Sequence, residues 1–203
     1  MRATLRLAAV TLCLAVFGGG LASAQTPPPP APPPAAAPPP QHRDTYPPEE
    51  IIRAGHRFFG TVSRGLAEIV QAAFSRFGEP NGYILGQEAS GAFVVGLRYG
   101  EGTLYTRNAG DRHVFWEGPS IGFDTGGEGA RTMMLVYSLP ATDAIYQRFG
   151  GIDGSAYFIG GFGMTALTAN NIVVVPIRSG VGLRLGANVG YLKFTERATW
   201  NPF

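Results

Sequence analysis

Val181-Gly182-Leu183-Arg184-Leu185-Gly186-Ala187-Asn188-Val189-Gly190-Tyr191 alternates with a period of two. Val181, Leu183, Leu185, Ala187, Val189 and Tyr191 share one face, and Gly182, Arg184, Gly186, Asn188 and Gly190 share the other. Side chains of a strand point alternately to opposite faces, so this stretch is strand and not helix. The same alternation sets Phe93, Val95, Leu97 and Tyr99 against Ala92, Val94, Gly96 and Arg98. Turn signals punctuate the chain at Pro80-Asn81-Gly82, Gly100-Glu101-Gly102, Asn108-Ala109-Gly110-Asp111 and Asn170-Asn171. Together they predict a mainly β domain of about eight to ten short strands, interrupted by one short helix around Thr142–Phe149. No crossover helices separate the strands, so the sheet is expected to be antiparallel. Glycines inside strands mark sharp bends, as a small β-barrel requires. No internal repeat of fixed period is present.

Ahead of the strands the period is helical. Val62, Leu66, Ile69, Val70, Ala73, Phe74 and Phe77 recur at three- and four-residue spacing, with Arg64, Glu68, Gln71, Ser75 and Arg76 between them. Pro47-Pro48-Glu49-Glu50 suits a helix opening, because proline fits the first turn and acids suit the positive end of the dipole. The expectation is an N-terminal amphipathic helix, interrupted near Gly60, ended by Gly78 and docked on the sheet.

The first residues have the layout of a secretory signal peptide. Arg2 and Arg6 precede an apolar run of 11 residues, Leu7 to Phe17, and Leu21-Ala22-Ser23-Ala24 supplies small residues for cleavage between Ala24 and Gln25. That run is shorter than the roughly 20 residues a bilayer-spanning helix needs, so no transmembrane helix is expected in the mature chain. Cys13, the single cysteine, falls inside the removed segment. Its neighbours Leu12 and Leu14 do not fit a lipoprotein site, and disulfides, zinc–thiolate sites and cysteine nucleophiles are set aside with it. Residues 27–40 are ten prolines and four alanines, a composition that favours extended polyproline II and cannot build a core. The expected division is 1–24 signal peptide, 25–46 Pro/Ala-rich disordered tether and 47–203 a single barrel domain.

Loss of Arg2 and Arg6 takes the basic residues from 16 to 14, equal to the 14 acidic ones. A neutral chain argues against nucleic acid as a partner.

Several short motifs spell catalytic words. Gly118-Pro119-Ser120-Ile121-Gly122 matches the G-x-S-x-G nucleophile elbow, which needs a helix after the serine and a histidine further along. Glycines follow Ser120 closely, and His42, His56 and His113 all precede it, so the order of the triad is impossible. Phe123-Asp124-Thr125-Gly126 resembles the active-site turn of aspartic proteases, and one such turn per chain would require a homodimer sharing a proton between two carboxylates. Gly122, Gly127 and Gly129 crowd it, which favours a glycine turn with an exposed aspartate. Gly161-Phe162-Gly163-Met164-Thr165-Ala166 matches a dinucleotide fingerprint but lacks the following helix and the acid about 20 residues on. No cofactor is expected, and no His/Asp/Glu cluster has metal-ligand spacing. The chain is expected not to be an enzyme.

With catalysis set aside, the same residues resemble the bacterial periplasmic family typified by envelope integrity protein A. The likeness is carried by 116–124 (WEGPSIGFD), 126–133 (GGEGARTM), 151–157 (GIDGSAY), 175–188 (VPIRSGVGLRLGAN) and the close 199–203 (TWNPF). More distantly, the Pro-Ser-x-Gly segment before a glycine-rich strand is similar to SYLF lipid-binding domains. The resemblance implies a small soluble antiparallel β-barrel with helices in the envelope of a Gram-negative bacterium, and it implies no catalytic residue.

Three functional classes stand side by side at this point: a soluble periplasmic barrel supporting envelope integrity, an integral outer-membrane barrel, and a homodimeric protease using Asp124. For the first, Arg178 and Arg184 are the candidate ligand-binding residues. Six residues apart in an extended chain, they share parity with Gly180, Gly182 and Gly186, and arginine forks match phosphate or carboxylate on an envelope lipid or polysaccharide.

Overall fold

The computed structural model describes residues 44–124, 130–152, 155–179, 190–199 and 201, with the backbone alone described for 90–96 and 120–124. Proline in the first turn opens helix α1 (Pro48–Phe59), with Glu49 and Glu50 at its positive end. Gly60 closes it at φ 76, a left-handed conformation that glycine adopts without a Cβ penalty. Ser63 starts helix α2 (Arg64–Phe77), its hydroxyl accepting a 3.4 Å hydrogen bond from the Leu66 N–H. The helical stretch is thus two helices, and the break removes Val62 from the stripe. Val62 lies in the connection, 89% exposed, whereas Leu66, Ile69, Val70 and Ala73 are fully buried.

Nine strands follow among the described residues: β1 (Gly82–Thr106), β2 (Arg112–Asp124), β3 (Ala130–Tyr137), β4 (Arg148–Gly151), β5 (Tyr157–Ile159), β6 (Phe162–Met164), β7 (Leu167–Ala169), β8 (Ile172–Ser179) and β9 (Tyr191–Thr195). The order across the sheet is β3-β1-β2-β9-β4-β7-β8-β6-β5, and β3 also pairs with β8, which closes it into a barrel. β1 doubles back on itself: the Tyr83 and Tyr105 rings stack 5.0 Å apart, and a Cβ on Gly86 would lie 2.8 Å from the Gly102 Cα. Counting its two limbs separately, eight antiparallel strands form the closed barrel. Its first limb pairs with β3 and its second with β2.

Two apolar clusters hold the fold. Ile84, Leu104, Val114, Trp116, Met134, Val136, Phe149, Leu167, Val174, Leu192 and Phe194 come from every barrel strand and fill its interior. Met133, Leu135, Tyr137, Val175 and Ile177 face outward, where Ile51, Leu66, Ile69, Val70 and Ala73 of the helices cover them. β3 and β8 are therefore buried on both faces, which is why Met133-Met134-Leu135-Val136 and Ile172-Val173-Val174-Val175 are unbroken apolar runs.

Two sequence expectations are corrected here. Gly100-Glu101-Gly102 is not a turn but lies inside β1, where Gly100 makes room for the Trp116 indole; a Cβ there would sit 2.2 Å from the ring. The helix around Thr142–Phe149 shrinks to a 3-10 turn over Thr142–Ile145, and Phe149 is a β4 core residue. On β1, Leu97 is 38% exposed while Arg98 is buried, so the polar position of that pair faces the barrel interior. The alternation over 181–189 lies outside the described residues, whereas the Asn170-Asn171 turn is a two-residue hairpin with φ values of 46 and 65 joining β7 to β8.

Candidate functional site

Positions of even number on β1, β3 and β8 point into the barrel. Beyond the apolar layer of Ile84, Met134 and Val174, the same parity brings in Glu88, Arg98, Thr132 and Arg178. All four side chains are buried or nearly so: Arg98 is 4% exposed, and the Arg178 side chain 14%. Thr132 faces Arg178 directly in the β3–β8 register. Glu88 Oε2 accepts a 2.9 Å bond from the Trp116 indole N–H and a 3.1 Å bond from an Arg178 guanidinium nitrogen.

Burial alone would raise the Glu88 pKa, but the charges of Arg178 and Arg98 and the indole hydrogen bond outweigh it and hold the carboxyl below its ordinary value. Burial and then the neighbouring Arg178 charge push the Arg98 guanidinium down to about 10, with Glu88 acting in the opposite sense. Among the described residues, the Glu88 carboxylate thus feels two guanidiniums. Arg98 Nε, Arg178 Nε and Thr132 Oγ1 are buried without a hydrogen-bond partner. An unsatisfied buried polar group costs about 1–3 kcal/mol, more when it is charged, so this inner layer is short of acceptors. Its chemistry is that of a donor-rich, positively charged layer.

Of the residues singled out in the sequence, Arg178 belongs to this layer. It already serves Glu88 through one nitrogen, and Gly163 and Thr132 flank it on the neighbouring strands. Arg184 lies outside the described residues, as do Ala24 and Gln25. Ser120 sits inside β2 opposite Gly96, with strand on both sides, so no strand-to-helix elbow exists there. Asp124 is the last residue of β2, paired with Ala92 through the backbone; the rest of the Asp-Thr-Gly turn lies outside the described residues. Residues 161–166 form a turn, strand β6 and two irregular residues that lead into β7, not a strand-to-helix phosphate loop. Among the described residues no group of three or more His, Cys, Asp or Glu side chains converges on a metal position.

Glu88 and Arg98 were not singled out by sequence reasoning. The available signal was steric. Arg98 shares parity with Gly100 and Gly102, and Glu88 with Gly86, so both charged residues lie on a face whose glycines at 86 and 100 leave space for the Trp116 indole.

A closed antiparallel barrel filled with apolar side chains, covered on one flank by two helices and carrying a buried charged layer, defines a small helix-covered β-barrel protein. The chain belongs to the family described as envelope integrity protein A, whose model matches residues 44–203. It is also similar to the crystal structure of a β-barrel-like, uncharacterised protein from Brucella abortus. That chain is 58% identical, the match covers 79% of this chain and 100% of the other, and the TM-score is 0.74. A search of curated proteins gives no match.

Proposed function

We propose that the protein is a non-catalytic, soluble periplasmic component that supports cell-envelope integrity by holding an anionic group of an envelope lipid or polysaccharide. The observation that carries this reading is the buried layer in which, among the described residues, Arg178 pairs with the Glu88 carboxylate, Arg98 adds a second positive charge beside it, and Arg98 Nε has no partner. A phosphate or carboxylate would supply the missing acceptors, and charge-assisted bonds to arginine are among the strong ones. Membership of the envelope integrity family supports the envelope role, and the Ala22-Ser23-Ala24 site supports export to the periplasm.

The alternative of an integral outer-membrane barrel has the opposite pattern of polarity. Such barrels carry an apolar band toward lipid around a polar interior, whereas here the interior is packed with Trp116, Phe149, Phe194 and their neighbours, and helices cover the outer faces of β3 and β8. No helix among the described residues is long and apolar enough to cross a membrane.

The test is binding to phosphatidylglycerol vesicles and to acidic envelope polysaccharide, comparing wild type with Arg98→Gln. Arg98 is the informative position, because replacing Arg178 would strip Glu88 of its hydrogen-bonded partner. Binding should weaken in the variant and fall with added salt. Equal binding by a folded Arg98→Gln protein at low salt would overturn the reading.

A further inference from the structure

The outer face of the same wall carries a cavity that reaches the guanidinium layer only at Glu88 and Trp116. Tyr99 and Glu101 on β1 lie opposite Glu117 and Phe115 on β2. These four, with Gln87 and Thr199, line a hollow of about 390 Å³, within the range of roughly 300–1,000 Å³ typical of small-molecule sites. Its floor is firm, since the Trp116 indole packs flat against Gly100 where no Cβ intervenes. On one side, the segment after β9 is tied down: Thr199 Oγ1 donates to Glu117 Oε1 at 2.9 Å, and Lys193 Nζ, 3.1 Å from that oxygen, donates to the Asn201 carbonyl at 2.8 Å.

Glu117 is the decisive residue. It is 2% exposed, Oε1 takes both donors, and Oε2 is buried with no partner. An ionised carboxylate only accepts hydrogen bonds, so the vacant oxygen calls for a donor. It does not call for a further positive charge: Lys193 already balances Glu117, Arg178 balances Glu88, the other buried carboxylate on the lining, and the third, Glu101, is exposed to solvent with His113 at 3.9 Å. The half-buried Phe115 and Tyr99 add aromatic surface. A ligand with hydroxyl donors on its edge, an apolar face and no net charge satisfies these demands together.

We propose that this cavity binds an uncharged sugar ring, one hydroxyl of which donates to Glu117 Oε2 while its C–H face packs on Phe115. The site meets the buried guanidinium layer at Glu88 and Trp116, but its ligand contacts come from Glu117 and Phe115, and its ligand is neutral where that layer takes an anion. Glu117 acts as the specificity-determining acceptor, and Thr199 and Lys193 are positioning residues that hold its other oxygen.

Saturation-transfer NMR on the full chain tests this with the methyl glycosides of glucose, galactose, mannose and N-acetylglucosamine as probes, and tetramethylammonium as a cation of similar apolar character. At least one glycoside should bind, and Glu117→Gln should weaken it about tenfold or more, as expected for a lost hydrogen bond to a charged group. Phe115→Ala should weaken it as well; Phe115 belongs to neither apolar core cluster, so this variant decides the matter even where Glu117→Gln does not fold. Absence of transfer to every glycoside, transfer unaffected by Phe115→Ala, or preference for tetramethylammonium over all four would each overturn the proposal.

Discussion

Glu88 and Arg178 meet at 3.1 Å inside the barrel although 90 residues separate them in the chain. β3 lies between their strands in the closed wall, pairing with β1 on one side and with β8 on the other. The ion pair therefore reports on closure of the barrel. Removing the carboxylate leaves two buried guanidiniums without a counter-charge, and breaking a buried pair in this way typically costs about 3–5 kcal/mol. Glu88→Gln should lose that much in urea unfolding, a large share of a total of about 5–15 kcal/mol. A loss under about 1 kcal/mol would mean that water reaches this layer.

The same pair has a pH signature. The folded-state pKa of Glu88 is depressed below its unfolded value, so between the two the unfolded chain binds more protons. Its contribution is complete above the ordinary carboxylate range and is lost as pH falls through the folded pKa. Wild-type stability should decline below about pH 4.5 more steeply than that of Glu88→Gln, in which this group no longer titrates. Parallel acid profiles measured by circular dichroism would contradict the assignment.

Leu66 is fully buried in the centre of the helix–barrel interface. A carboxylate there has no partner, and its burial costs several kcal/mol. Leu66→Asp should unfold the domain or detach α2 from the barrel. A thermal midpoint within a few degrees of wild type would contradict that packing.

Gly65 crosses Gly160 so closely that a Cβ on Gly65 would lie 2.2 Å from the Gly160 carbonyl oxygen and 2.6 Å from its Cα. The obstacle is backbone and cannot rotate away. Gly65→Ala should destabilise by about 1–3 kcal/mol, as overpacking does, despite alanine's higher helix propensity. A stabilised variant would show that the β5–β6 turn yields freely.

Asp124 ends β2 and pairs with Ala92 through the backbone. Asp124→Asn should leave complementation of an envelope-defective strain intact, whereas a protease dependent on that carboxylate would lose its function outright. A normally folded, normally abundant variant with a null phenotype would restore the protease reading.

Intact-mass measurement of protein recovered from the periplasm should show a chain beginning at Gln25, with or without cyclisation of the new terminus, and carrying no lipid. The small residues of Ala22-Ser23-Ala24 and the position of Cys13 within the apolar run motivate this outcome. An unprocessed or lipidated species would contradict it.

What could be read from the chain alone was local. A period of two, turn residues at short intervals and the absence of crossover helices lead to an antiparallel barrel, and a period of 3.6 bounded by Gly60 and Gly78 leads to helix. Each of these signals lies within a few residues of the structure it specifies. The break that made two helices was also local, but the stripe reached across it to Val62, because periodicity counts apolar residues without testing whether the backbone stays helical. The functional layer was a different matter. Alternation assigns residues to two faces and does not say which face is interior, so Arg98 could be placed inside only once the barrel had closed around it and left Leu97 outside. Glu88, Trp116 and Arg178 come from three strands, and their meeting depends on which strands are neighbours and in what register. Glu117 is ordinary in the sequence; it became a buried acceptor because Thr199 and Lys193 occupy one of its oxygens and leave the other empty. Burial of a charged group is a property of everything packed around it, contributed by residues distant in the chain, and so only the tertiary structure decided it.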